Sequence, residues 1–108
     1  MTHQERVKAL TELLAKNPDD SFSRYALALE YISLGETESA IAALRDLIRR
    51  DPKYIPAYYQ LGRLYCKVNK TDEAKKILRK GIEFAAETND LHAKMEMEEE
   101  LEEIEDEW

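Results

Sequence analysis

Apolar residues recur along this chain at helical spacing, and β-branched runs are absent. Leu27, Tyr31 and Leu34 form one series, and Ala40, Leu44, Leu47 and Ile48 form the next. The periodicity breaks at Gly35 and again at Asn69. Glycine and asparagine are the residues that most readily take a positive φ, so each break can end a helix in a left-handed cap. Thr37 and Thr71 follow two residues later, placed to cap the next helix. Asn17-Pro18 and Asp51-Pro52 end two other helices, because a residue before proline avoids the helical region. The pattern predicts helices at 3–16, 20–34, 37–50, 56–68, 72–87 and 90–106.

These helices repeat. Shifted by 34, the chain matches itself at Tyr25/Tyr59, Leu27/Leu61, Tyr31/Tyr65, Thr37/Thr71, Ala40/Ala74, Leu44/Leu78, Arg45/Arg79 and Ile48/Ile82. Average residue frequencies would give about two such identities. Leu10 and Leu13 precede Leu44 and Leu47 by the same interval, so half a repeat leads the first full one.

The unit resembles the tetratricopeptide repeat, a 34-residue helix–turn–helix with the pattern W-x2-L-G-x2-Y, A-x3-F, P. Its positions are held here by Arg24, Leu27, Ala28, Tyr31, Ala40, Leu44 and Pro52, then by Tyr58, Leu61, Gly62, Tyr65, Ala74, Leu78 and Ala86. Arg24 departs from the aromatic. Ala86 stands where proline would, so the helix at 72–87 should run longer than its counterpart. The resemblance implies an all-α fold of antiparallel helix–turn–helix repeats in a short right-handed superhelix. Its expected divisions are an N-terminal half-repeat (1–19), two repeats (20–54 and 55–88) and an acidic capping helix (89–108). Met97, Leu101, Ile104 and Trp108 give the cap one apolar seam.

Charge separates the cap from the rest. Of the formal −7, residues 1–89 contribute +2 and residues 90–108 contribute −9. With no basic footprint, nucleic acid is not an expected partner. With no apolar run of about 18 residues, neither is a membrane. The single Cys66 and the lack of a secretory signal suit a reducing, cytoplasmic setting.

Candidate chemistry is sparse. His92 and Glu96 lie one helical turn apart, but two ligands without a third make no metal site. His3 is terminal, and Cys66 reads as a half-buried thiol near Arg63 and Lys67. No catalytic motif and no cofactor are expected. The informative helix is 20–34, where Phe22, Tyr25, Leu29 and Ile32 form a stripe nearly opposite Leu27, Tyr31 and Leu34. A helix apolar on both sides is covered on both sides. Phe22 and Ile32 are read as core beneath Val7, Leu10, Leu13 and Leu14 of the first helix.

In the resembling family the first helices of each pair line a concave groove. The resemblance therefore implies a non-enzymatic module that binds a protein or peptide of apolar and acidic character. The residues assigned to binding are Tyr25, Leu29, Tyr59, Gln60, Arg63 and Lys67, with Arg63 placed to meet a partner carboxylate. Some family members clamp C-terminal carboxylates with Lys and Asn. Here Tyr25, Leu29, Gln60 and Arg63 stand instead, and that activity is not carried over. The alternative is a homodimer, formed where the leading half-repeat leaves an edge open beside Phe22 and Tyr25.

Overall fold

The computed structural model describes residues 1–106. Among them are six helices and no strands: α1 (His3–Lys16), α2 (Ser21–Ser33), α3 (Thr37–Arg50), α4 (Ile55–Lys67), α5 (Thr71–Glu87) and α6 (Leu91–Asp106). Every boundary falls within a residue or so of the sequence reading. α5 has 17 residues against 14 in α3, as the loss of proline at Ala86 leads one to expect. The seam residue Trp108 lies outside the described residues.

Three turns share one geometry. Gly35, Asn69 and Asn89 hold φ of 72°, 63° and 60°. In each, the positive-φ residue donates to the carbonyl three back and the next residue to the carbonyl five back: Gly35 to Ile32 and Glu36 to Tyr31, Asn69 to Cys66 and Lys70 to Tyr65, Asn89 to Ala86 and Asp90 to Ala85. This pair of bonds is the Schellman motif, and it satisfies carbonyls that the helix end would orphan. The residue closing each motif also opens the following helix, since the carbonyls of Glu36, Lys70 and Asp90 accept from Ala40, Ala74 and Lys94.

That economy corrects the capping expectation. Thr37 and Thr71 are the first helical residues, not the caps, and neither Glu36 nor Lys70 makes a side-chain cap bond. The Schellman bond fixes the cap one residue earlier than the threonines. Side-chain caps occur elsewhere. Thr2 and Glu5 form a reciprocal capping box at α1, and Asp20 receives both the backbone N–H and the hydroxyl of Ser23 at α2.

The chain forms two compact units, Met1–Pro52 and Lys53 onward. In the first, α2 packs against both α1 and α3 around Leu14, Ala28, Ala40, Leu44 and Leu47. Ala28 and Ala40 are fully buried small residues, the means by which paired helices approach closely. In the second, α5 packs against α4 and α6, and α6 also touches α4. Its centre is apolar and close-fitting: Tyr58, Leu61, Leu78 and Met97 are essentially inaccessible. The Tyr58 ring meets Phe84 at 5.7 Å between centroids, tilted by 55°. Two glycines make the fit possible. A Cβ on Gly62 would stand 2.6 Å from the Leu78 side chain, and one on Gly81 would stand 2.5 Å from Met97 Sδ and 2.6 Å from Tyr58 Cβ. Gly81 is thus the seat of Met97, and it anchors the acidic helix more deeply than a surface seam would.

Candidate functional site

Pro56 near the start of α4 costs no helical hydrogen bond, because the N–H groups of a first turn have no partner in the helix anyway. From there the helix buries Ala57, Tyr58, Leu61, Leu64 and Tyr65. Helical rotation carries the intervening residues outward. Tyr59 and Gln60 are half-buried, and Arg63 and Lys67 are exposed. Tyr59 and Arg63 lie one turn apart, and the guanidinium stands over the phenol ring at 5.6 Å from its centroid. A cation–π contact of this kind keeps the guanidinium near the aromatic face while its N–H donors stay available.

Arg63 already has an acidic neighbour. Its Nε lies 3.7 Å from Glu100 Oε1 on α6. The expectation that Arg63 waits for a partner's carboxylate is therefore modified, since the chain supplies one itself. Nothing in the spacing of residues 90–108 singled out Glu100 from the other nine acids. Only the docking of α6 on α4 brings it there.

In the first unit, Tyr25 and Leu29 are half-buried on α2. The neighbouring Arg24, which replaces the family aromatic, is the anchor of a polar cluster. Its Nη1 donates to Asp46 at 2.7 Å and its Nε to the Pro18 carbonyl at 2.7 Å. Arg49 and Arg50 also donate to Asp46. Partial burial pushes the Asp46 carboxyl up, but the hydrogen bond and charge of Arg49 and the charge of Arg24 outweigh it and hold the group low. At the other end of α2, Glu30 takes Arg6 Nε at 2.7 Å and His3 Nδ1 at 2.5 Å. Its carboxyl is likewise held low, first by the His3 bond. His3 is thus not simply solvated: it ties α1 to α2.

Phe22 corrects the core reading. It is 73% exposed, and Leu13 of α1 is 53% exposed. α1 closes on α2 through Leu14 and the Glu30 cluster, and this leaves Phe22, in the first turn of α2, uncovered. Ile32 is half-buried. His92 meets Glu96 at 3.3 Å on an open surface, and among the described residues no group of three His, Cys, Asp or Glu side chains could hold a metal ion. No helix there is long and apolar enough to cross a membrane. The arrangement places half-buried aromatic rings beside exposed cationic side chains.

Known proteins share this architecture. A TPR repeat-containing protein of Pseudomonas aeruginosa is 29% identical over 91 residues, covering 84% of this chain and 87% of its own length. The crystal structure of a tetratricopeptide repeat domain protein from Salinibacter ruber matches with a TM-score of 0.77 at 35% identity, over 80% of this chain and 96% of that one. The TPR2B domain of yeast Sti1, solved in a complex with pHsp70, superposes with a TM-score of 0.86 at 24% identity, over 94% of this chain and 82% of that one. The tetratricopeptide repeat model matches residues 31–97. With the 34-residue register, the paired helices and the small residues between them, these likenesses show that the chain belongs to the tetratricopeptide repeat family.

Proposed function

We propose that this protein is a non-enzymatic interaction module that binds a peptide or protein segment on the exposed face of α4. The observation that carries the reading is the stacked Tyr59–Arg63 pair on α4, flanked by Gln60 and Lys67. An aromatic ring and an arginine are the residue types most enriched where binding energy concentrates. Tyr25 and Leu29 on α2 offer a similar half-buried apolar surface in the first repeat. The partner segment carries an apolar anchor for Tyr59 and a carboxylate for Arg63. The pHsp70 complex of the Sti1 TPR2B domain, with the same fold, supports this class of function.

Glu100 does not block the site. Arg63 is more than half exposed in its pair with Glu100, and ion pairs that open to solvent contribute only about 0.2–1 kcal/mol. A partner carboxylate that desolvates Arg63 against the Tyr59 ring exchanges for Glu100 at little cost.

The test selects peptides from a random library on the immobilised protein, then measures affinity and melting for three variants. Tyr59→Ala and Arg63→Ala are each expected to weaken the selected peptide by about 1–3 kcal/mol and to leave melting nearly unchanged. Leu61→Ala, fully buried, is expected to lose about 2–5 kcal/mol of stability. If Tyr59→Ala melts as low as Leu61→Ala, Tyr59 is core and the reading fails. A second reading, self-association along the α1–α2 edge, is favoured by the exposure of Phe22 and Leu13. It predicts that Phe22→Ser changes the oligomeric state without touching peptide affinity.

A further inference from the structure

The outer surface of α5 and α6 carries two adjoining grooves of opposite sign. The first, of about 470 Å³, runs along α5 and is lined by Lys75, Lys76, Arg79 and Lys80, whose positive charge outweighs that of Asp72 and Glu83 beside them. The second, of about 430 Å³, lies between α5 and α6 and is rimmed by Glu98, Glu102 and Glu105. Arg79 and Glu83 border both grooves, and half-buried Ile82 and Leu101 line the second. Where the two signs meet within the chain they pair, with Arg79 Nη2 lying 2.8 Å from Glu105 Oε1. Lys76, Lys80, Glu98 and Glu102 remain exposed, each pair one helical turn apart.

A partner of one sign fits this face poorly. A polyanion reaching the α5 cations would also run beside Glu98 and Glu102, and like charges brought together cost affinity. A polycation meets the reverse problem. What fits is a surface that carries both signs in the mirrored order. A second copy of this chain, turned about a two-fold axis between the strips, lays its acidic α6 strip on the basic α5 strip and receives the same in return. Such an isologous contact uses one patch twice, as a two-fold dimer requires. We infer that the α5–α6 face is a charge-driven homodimer surface, with Ile82 and Leu101 beneath the charged rim. It is independent of the α4 site and of the α1–α2 edge.

The test is sedimentation velocity of the full chain over a dilution series. The wild type is expected to dimerise, and to weaken by at least about tenfold when salt is raised from about 0.05 M to about 0.5 M. Lys76→Glu/Lys80→Glu and Glu98→Lys/Glu102→Lys are each expected to be monomeric, because each sets like charges against one another across the two-fold contact. An equimolar mixture of the two variants is expected to restore the dimer as a heterodimer. That restoration also shows that both variants are folded. A wild type that stays monomeric to its highest soluble concentration at low salt overturns the inference. So does a dimer that survives both reversals, or one that survives them but is lost in Phe22→Ser.

Discussion

The two units reach stability by different chemistry. In the first, side-chain polar contacts tie helix to helix, His3 and Arg6 on Glu30, Arg24 on Asp46 and Ser21 on Asp51, and Asp20 caps α2 through Ser23. Among the described residues, the carboxyls whose ionised form is clearly favoured, Glu5, Asp20, Glu30 and Asp46, all belong to it. In the second, glycines let backbones close up, and Tyr58, Leu61, Leu78 and Met97 fill the space between. One repeat pattern therefore accommodates both a polar lock and an apolar fit. The family aromatic and Arg24 occupy the same register, one packing a ring (Tyr58), the other an ion pair.

The sharpest way to break the contrast is Gly81→Ala. Alanine is the better helix former by about 1 kcal/mol, so an unconstrained site would gain stability. Here the new methyl meets Tyr58 Cβ, which cannot swing aside as a side-chain end can. A net loss of about 1–3 kcal/mol is expected in a denaturant melt, with α6 losing amide protection. An equal or higher melting temperature would show that the second unit is not packed as tightly as described.

Next in size is Asp20→Ala in the first unit. It removes the acceptor for Ser23 N–H at 3.2 Å and for the Ser23 hydroxyl at 2.8 Å, and leaves that hydroxyl in a residue only 5% exposed. A loss of about 1 kcal/mol is expected, the usual value of an N-cap. Asp20→Asn should recover most of it.

Acid sharpens the comparison without a mutation. A carboxyl whose folded pKa is depressed contributes stability above its unfolded pKa, and that contribution is lost as pH falls through the folded value. Asp46 and Glu30 both shift downward, so the first unit should weaken below the ordinary carboxylate range while neutral pH leaves it intact. Amide exchange followed from pH 7 downward should show α2 and α3 opening before α4 and α5. The reverse order would mean that the ion pairs contribute nothing to the first unit.

Much of this was legible in the sequence because a 34-residue identity pattern is a packing pattern. Ala40 and Ala74, Leu44 and Leu78 recur because each meets the same neighbour, and all four are fully buried. The capping box at α1 went unread, although Thr2 is followed three residues later by Glu5. The place of Gly81 went unread too. The repeat puts it opposite Leu47, so a missing side chain in a core column signals that another residue fills the gap. What no spacing could supply was which residue: Met97 and Glu100 reach α5 and α4 through a docking between helices whose register differs from the 34-residue step. Phe22 was misread for a related reason. A helical stripe says which side of a helix is apolar, not how far along it the neighbour extends.

The three interhelical turns have a consequence for how such a chain can change. Glu36, Lys70 and Asp90 each close one helix and open the next with main-chain atoms. Only at the third does the side chain add a bond, with Asp90 Oδ1 accepting from the Ala93 N–H. An acid, a base and a second acid occupy equivalent places because the fold asks nothing of their side chains beyond φ and ψ. These junctions are fixed in length and free in identity. A lineage can rewrite the charge at these three bends while the scaffold stays as it was.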